Sequence, residues 1–409
     1  MALCGRGGTA PSNSKFKIVW VSAYWKSGIP VGRSVTGGLK VNHEVLQRLR
    51  DRAEVVEIQS SDMLPEIENH RIVEATYRWP LRFWYLIFEL KLLCSLLSVA
   101  FSFGPHWVFI SGFTGPSLRA AILVRLLTKS KVATFFHHWS YAFTVKGTFR
   151  QLRSELGRGA LGSLLSSVGA HFGAWSLRFV DLIYCDSDFS KSQLKRLAAV
   201  SDDRIVVTGG WGIDARLIRD SPPCGLGLDA IMVGRIAREK GSFDLVEIWS
   251  EVIQQLPQTR VGVIGARTDE FDAWIQLLKE EKMDDTILYL GADFTQEEVY
   301  GRMKGARIFV FPTHREGWGI ALAEAICCGL PAVCYDMPPL NALETGGIEF
   351  VPYLDKGGFA AVVVSLLKDD NKRKNMSELN LSYASHFKTW DEIAELVFDG
   401  MKERNSMAG

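Results

Sequence analysis

Two glutamates, Glu316 and Glu324, stand eight positions apart across a predicted strand-to-helix turn. The apolar run 306–311 predicts a buried parallel strand, and residues 320–328 predict the helix that follows it. One carboxylate therefore lies in the loop, and the other lies about a turn and a half into the helix. Carboxylates accept hydrogen bonds in pairs, as a sugar diol donates them, so this pair could bind two hydroxylated rings.

Two glycines, Gly317 and Gly319, lie in the same turn. They let the backbone turn tightly, so that the free N–H groups of the new helix point into the crevice beyond the carboxyl end of the strand. An anion such as a phosphate is favoured there. A phosphate between two diol-binding acids predicts a ligand of the nucleotide-sugar type, with a hydroxylated ring at each end.

Cations must outweigh the two acids if a diphosphate is to bind beside them. Arg235 and Lys240 follow a predicted strand that ends at Gly234. Arginine holds phosphate oxygens with a planar fork, and lysine supplies a compact point charge. Gly37 and Gly38, just ahead of a predicted helix, would bring further backbone N–H groups to the phosphates. The alternatives are surface ion pairs for the cations and a plain loop for the glycines.

These motifs occur in the order found in a known family. The chain resembles, over nearly its whole length, the retaining glycosyltransferases of family 4, which have the GT-B fold. The matching segments are Glu316-Gly317-Trp318-Gly319 with Glu324, Val233 to Gly241, Cys185 to Lys191, Gly212-Ile213-Asp214 and Phe387 to Trp390.

The resemblance implies a role for each matched residue. Arg235 and Lys240 would hold the donor diphosphate, Glu316 the hexose hydroxyls and Glu324 the ribose diol, with Trp318 beside the donor. His137 or His138, after the predicted strand 131–136, would lie near the reacting sugar; the two remain alternatives. The donor would be a UDP- or GDP-linked hexose and the acceptor a glycan or a lipid-linked molecule. The implied mechanism occurs on one face of the sugar, without a metal or another cofactor.

Predicted strands and helices alternate along the chain as βαβ units require. We therefore expect an α/β protein with two Rossmann-like domains that face a central cleft, the GT-B arrangement. The predicted divisions are a disordered tail at 1–15, an acceptor-side domain at 16–214, a linker at 215–228, a nucleotide-sugar-binding domain at 229–385, and a last helix at 386–409 that crosses back to the first domain. The strand at 182–185 is expected to close the first sheet.

Other nucleotide-binding classes do not fit the glycine pattern. Gly225-Leu226-Gly227 precedes a predicted strand, whereas a dinucleotide fingerprint follows one. The segment 234–241 lacks the spacing of a P-loop. Seven cysteines without a Cys-x-x-Cys pair favour a reducing compartment and argue against a zinc site. No signal peptide is expected at the start of the chain, so we predict a cytoplasmic protein.

The net charge of +1 conceals two oppositely charged halves. Residues 1–215 contain 26 Lys/Arg and 16 Asp/Glu, whereas the remainder is acidic. Residues 75–158 carry 11 of these bases and 2 acids, together with aromatic side chains and the apolar run 90–103. This composition predicts peripheral contact with the anionic, cytosolic face of a membrane. The alternative is a core helix whose basic residues are merely solvated.

Two other functions use the same fold. An epimerase would act on the nucleotide sugar alone and would not need a wide, apolar acceptor side. A non-catalytic scaffold would bind a partner, but it would have no reason to keep Glu316, Glu324, Arg235 and Lys240 together. No partner of the nucleic-acid class is expected.

Overall fold

The computed structural model describes residues 16–22, 37–60, 70–73, 81–112, 115–137, 139, 143–154 and 160–406. The predicted tail 1–15 and the segment 23–36 lie outside the described residues. The described chain forms two parallel β-sheets, one from each half, with helices on both sides of each sheet.

The first sheet is built from seven short strands. They are β1 (Lys17–Ser22), β2 (Glu54–Ser60), β3 (His70–Val73), β4 (Trp107–Ile110), β5 (Lys131–Phe136), β6 (Leu182–Cys185) and β7 (Ile205–Val207). Their order in the sheet is β3-β2-β1-β4-β5-β6-β7, and neighbouring strands run parallel. The strand order reverses between β1 and β4, which makes a doubly wound sheet.

The prediction that 182–185 closes this sheet is wrong, because β7 pairs with β6 beyond it. β7 is only three residues long and two of them are partly exposed, so its sequence contains no apolar run that marks a strand. β3 was not predicted either, since it is a four-residue strand at the opposite edge.

Seven helices cover the first sheet. They are α1 (Gly37–Leu49), α2 (Leu81–Phe103), α3 (Gly115–Leu127), α4 (Val145–Ser154), α5 (Ala160–Ser176), α6 (Asp188–Ala198) and, from the end of the chain, α14 (Trp390–Ser406). The last helix packs beside α1 and β6, where the hydroxyl of Tyr184 donates to the carbonyl of Val397 over 2.6 Å.

The second sheet has six parallel strands. They are β8 (Leu228–Val233), β9 (Val261–Ile264), β10 (Ile287–Gly291), β11 (Ala306–Phe311), β12 (Ala332–Tyr335) and β13 (Ile348–Val351), and their order is β10-β9-β8-β11-β12-β13. The order again reverses once, between β8 and β11. The helices of this half are α8 (Ser242–Gln255), α9 (Phe271–Glu280), α10 (Gln296–Lys304), α11 (Ile320–Cys327), α12 (Lys356–Lys368) and α13 (Asp370–Tyr383).

The predicted linker is only partly irregular. Its first six residues form a short helix, α7 (Ala215–Asp220). The carboxylate of Asp214 accepts from the backbone N–H of Leu217 over 2.9 Å, so this residue caps the helix. Residues 221–227 have no regular structure.

The described residues form three buried apolar clusters. One lies on the outer side of each sheet, beneath α2, α3 and α5 in the first half and beneath α8 and α12 in the second. The third continues from the first domain into the second, and Trp390, Trp211 and Trp318 belong to it. The two domains therefore share part of one core.

Candidate functional site

A cavity of about 470 Å³ lies between the carboxyl ends of the two sheets. On the side of the second domain it lies at the point where the strand order reverses, next to the ends of β8 and β11. Crevices at such switch points are where doubly wound sheets bind ligands. The volume is within the range of small-molecule and cofactor sites.

Nine of the predicted site residues line this cavity. They are Gly38, His137, Arg235, Lys240, Glu316, Gly317, Trp318, Gly319 and Glu324. Gly37 begins α1, and His138 lies outside the described residues. Lys191 is not part of the lining, and its ammonium lies 3.0 Å from the carboxylate of Asp202 on the surface.

The turn from β11 to α11 depends on its two glycines. Gly319 has a φ of +91°, a left-handed conformation that glycine adopts without steric cost. Gly317 touches the first domain: a Cβ there would lie 2.6 Å from Oδ2 of Asp186 and 2.8 Å from the carbonyl oxygen of His137. Only a residue without a side chain fits between the two domains at this position.

Glu316 is paired with Lys240. Nζ of Lys240 lies 2.6 Å from Oε1 of Glu316, and the hydroxyl of Thr313 donates to the same oxygen over 3.2 Å. Arg235 donates a hydrogen bond to Glu239. Burial alone would raise the pKa of Glu239, but the charges of Arg235 and Lys240 bring it below its usual value. The two predicted phosphate ligands therefore have carboxylate partners on their own domain.

Glu324 is paired with a residue of the other domain. Nζ of Lys40, in the first turn of α1, lies 2.5 Å from Oε1 of Glu324, and both residues are buried. The hydroxyl of Tyr300 donates to the same oxygen over 2.9 Å, and Gln296 accepts from Lys40. Burial and the charge of Glu324 raise the pKa of Tyr300 well above its usual range, so its hydroxyl keeps its proton.

His137 lies beside a buried acid, Asp186, which directly follows β6. Nδ1 of His137 is 4.0 Å from Oδ2 of Asp186, and the ring of Trp211 contacts the imidazole edge-on. Burial raises the pKa of Asp186 to about 7, although hydrogen bonds from Ser190, Ser187 and Trp211 act in the opposite direction. The site thus places His137 beside a buried carboxyl group whose pKa is raised to about 7.

Lys40 and Asp186 were not predicted as site residues. Asp186 follows a buried strand immediately, and a polar residue at the carboxyl end of a parallel strand was the signal that could have identified it. Lys40 had no comparable signal, because its partner Glu324 is 284 residues away in the sequence.

Comparison with known proteins identifies the second domain. Residues 227–380 match the model of the family described as "Glycosyl transferases group 1". The second domain belongs to this group 1 glycosyltransferase family. The matching segment contains Arg235, Lys240, Glu316 and Glu324, whereas Lys40, the partner of Glu324, lies outside it.

Curated relatives match part of the chain. The O-antigen chain mannosyltransferase B of Escherichia coli is 27% identical over 239 residues, which cover 56% of this chain and 62% of the relative. The D-inositol 3-phosphate glycosyltransferase of Corynebacterium jeikeium is 30% identical over 173 residues, which cover 40% of this chain and 41% of the relative. The chain thus spans less than two thirds of each of these relatives.

Solved structures match nearly the whole chain. Sucrose-phosphate synthase from Thermosynechococcus elongatus superposes with a TM-score of 0.76 at 16% identity, over 97% of this chain and 100% of the other. Anabaena HepE in complex with UDP and glucose superposes with a TM-score of 0.69 at 13% identity, over 95% of this chain and 99% of the other. The fold is therefore GT-B, with two Rossmann-like domains facing a cleft, as predicted.

Proposed function

We propose that this group 1 glycosyltransferase chain is a retaining hexosyltransferase. It moves a hexose from a UDP- or GDP-linked donor to a glycan or lipid-linked acceptor. The observation that carries the proposal is the convergence of Arg235, Lys240, Glu316 and Glu324 on one cavity between the domains. The name of the Escherichia coli mannosyltransferase and the UDP bound to HepE support a nucleotide-sugar donor.

The ion pairs in the cavity suit a ligand that carries both phosphates and hydroxyls. The diphosphate replaces Glu316 as the partner of Lys240 and Glu239 as the partner of Arg235. The first backbone N–H groups of α11 donate further hydrogen bonds to it. Glu316 then accepts hydrogen bonds from the hexose hydroxyls. Glu324 accepts from the ribose diol after Lys40 has moved away from it. Each acid exchanges a lysine partner for hydroxyl groups of the ligand, so neither Glu316 nor Glu324 is left buried without a hydrogen-bond donor.

The proposed reaction occurs on one face of the donor sugar. The bond between the anomeric carbon and the phosphate oxygen breaks, and the acceptor oxygen bonds to the same face of that carbon. The proton of the acceptor hydroxyl moves to the leaving phosphate. Lys240 and Arg235 stabilise the negative charge that develops on this leaving group, and the cavity holds the two substrates in position. The absence of a metal or other cofactor from this scheme stays a prediction.

His137 is proposed to donate a hydrogen bond to the reacting sugar. Its imidazole lies in the cavity wall opposite the group 1 domain. Asp186 contributes from the interior by holding the ring in place and by stabilising its protonated form when the carboxyl group is ionised. His138 remains the alternative that the resemblance allows.

Peripheral membrane contact through residues 75–158 also stays a proposal. None of the helices in the described part of the chain combines the length and apolar content that a bilayer-crossing segment requires. The exposed Phe101, Leu126 and Leu127 of α2 and α3 support an apolar surface in this region. The cytosolic face of a membrane is the location that we propose.

The test is thermal stabilisation by UDP, GDP and ADP, because a ligand that binds only the native protein raises its stability. UDP or GDP is expected to raise the melting temperature. Arg235→Ala is expected to weaken that nucleotide by at least about tenfold, since a charge-assisted contact is worth about 1.5–3 kcal/mol. Arg238→Ala is the matched control, because Arg238 is exposed and its guanidinium lies over the ring of Phe243.

Absence of stabilisation by every nucleotide would contradict the donor site. With a nucleotide identified, the corresponding sugar donors distinguish the functions. Slow hydrolysis of the donor without an acceptor supports the transferase, and isomerisation of the donor supports the epimerase. Binding without either reaction supports the scaffold. The anomeric configuration of the product, measured by NMR, tests retention.

A further inference from the structure

The helix α5 presents its apolar residues to solvent and its serines to the protein. It contains no Asp, Glu, Lys or Arg. Ser163 and Ser167 are fully buried, whereas the large apolar side chains on the opposite face are 40–60% exposed. These side chains are Leu161, Leu164, Leu165, Val168, Phe172 and Trp175. A helix on the surface of a protein in water normally has the reverse arrangement.

Burial of the Ser167 hydroxyl does not destabilise this orientation of α5. The hydroxyl of Ser167 donates to the carbonyl of Ser163 over 2.6 Å, so it is satisfied within the helix. The small residues of this face let α5 pack against α3 and α4. The order of the residues in α5 therefore puts its large apolar side chains in one stripe on the outer face of the helix. None of the described residues covers this stripe.

The stripe belongs to a larger apolar surface with a basic edge. Leu126 and Leu127 at the end of the neighbouring α3 are 69% and 60% exposed. The guanidinium of Arg178 lies 4.8 Å from the ring of Trp175, at the end of the stripe. Arg178 is itself exposed, and α5 contains no acidic residue. Contiguous exposed apolar surface of this kind marks an interaction site.

We propose that α5 is the segment through which the protein lies on a membrane that contains anionic lipids. The 17 residues of α5 form a helix about 25 Å long. Its apolar face would enter the interface while its serine face stays against the protein. Trp175 would lie at the headgroup level, and Arg178 beside it would meet lipid phosphates. The helix α5 lies outside the segment 75–158 that the sequence suggested, whereas Leu126 and Leu127 of the same surface lie within it.

A second copy of the chain fits this surface less well. A two-fold symmetric dimer would bring the same patch of each copy together, and α5 contains no acidic residue that could pair with Arg178. A cation buried at an interface without an anionic partner opposes association. An anionic bilayer accepts both the apolar stripe and the basic edge. The inference does not depend on the donor site, because none of the described residues that line the central cavity belongs to α5.

The test is flotation of the full chain with vesicles of phosphatidylcholine alone and with added phosphatidylglycerol. We expect the protein to float with the anionic vesicles at low salt and to be released as salt rises. The double variant Leu165→Asp/Phe172→Asp is expected to lose vesicle binding by at least about tenfold, since charged groups enter the apolar interface poorly. The matched control is Leu226→Asp/Leu381→Asp, which changes side chains of similar exposure outside the first domain.

Both variants are expected to keep the circular dichroism spectrum and the nucleotide-dependent thermal shift of the unchanged protein. Two outcomes would overturn the proposal: the unchanged protein stays in solution with anionic vesicles, or the α5 variant floats as well as the control. Sedimentation velocity identifies the other occupant. A dimer that the α5 variant converts to monomer, without vesicle binding by either form, would assign the surface to a second copy. A failed nucleotide shift with intact vesicle binding would reject only the donor site.

Discussion

The two glutamates of the cavity each contact a lysine, but the lysines come from different domains. Lys240 and Glu316 belong to the same domain and lie 2.6 Å apart, whereas Lys40 and Glu324 join the two domains over 2.5 Å. The first pair persists when the domains separate. The second pair exists only while the domains are together. In the proposed function, a ribose at Glu324 would therefore compete with an interdomain contact, and a hexose at Glu316 would not.

The largest effect is expected for the pair within one domain. Lys240→Ala removes charge stabilisation of the leaving phosphate, so we expect kcat to fall by about 10²–10³. Glu316 also loses its lysine partner. Steady-state kinetics with the identified donor measures this loss, with Arg238→Ala as the control at an exposed position. A kcat within about twofold of the unchanged enzyme would remove Lys240 from the proposed mechanism.

The interdomain pair is expected to affect stability more than chemistry. Lys40→Met leaves Glu324 buried without its cation, so we expect the free energy of unfolding to fall by about 3 kcal/mol in the absence of nucleotide. With saturating nucleotide the loss is expected to be smaller, because ribose then supplies donors to Glu324. Urea denaturation with and without the nucleotide measures both values.

Two further variants make this measurement specific. Adding Glu324→Gln to Lys40→Met is expected to restore much of the stability, because the unpaired charge is removed. Lys195→Met changes an exposed pair with Asp202 and is expected to shift stability by less than about 1 kcal/mol. If Lys40→Met has no larger effect than Lys195→Met, the contact between Lys40 and Glu324 is not a stabilising one.

A smaller effect is expected from Asp186, which also lies where the domains meet. Burial raises its pKa to about 7, above about 3.9 in the unfolded chain. Between these values the folded protein keeps a proton that the unfolded chain has released, so stability falls as pH rises. Between pH 5 and pH 7 the titration of Asp186 is expected to lower the free energy of unfolding by about 2 kcal/mol, and Asp186→Asn is expected to remove this decrease.

Urea denaturation of both proteins at a series of pH values measures the Asp186 contribution as a difference. The curves are expected to become parallel below about pH 4, where the carboxyl group is protonated in both the native and the unfolded state. Parallel curves over the whole range would show that Asp186 does not titrate near neutral pH.

The sequence was sufficient for the features that depend on local order. The apolar runs predicted most strands, and the spacing of Glu316 and Glu324 located the turn between β11 and α11. Both cues concern residues that are neighbours in the chain. Edge strands such as β7 were missed because three residues contain too little pattern to distinguish a strand from a loop.

Contacts between distant segments could not be predicted in the same way. Lys40 reaches Glu324 only because the assembled fold brings α1 and α11 together. The inverted helix α5 was also missed, because its composition is that of a core helix and only the packing reveals which face is outside. Which face of a helix is exposed depends on how the domain is assembled. Periodicity in the sequence identifies an apolar face, but it does not show whether that face points to the core or to solvent.

The return of the last helix has a consequence for how the domains can move. The chain crosses between the domains once near Ile213 and again near Lys388, and the N–H of Ile213 donates to the carbonyl of Lys388 over 2.8 Å. Gly212 lies so close to Trp390 that a Cβ there would be 2.5 Å from its ring. Two adjacent connections between the domains act together as one hinge. Such a hinge allows the cleft to open when the domains bend about these two joined segments. A twist of one domain against the other would instead separate the two segments and break the hydrogen bond between them.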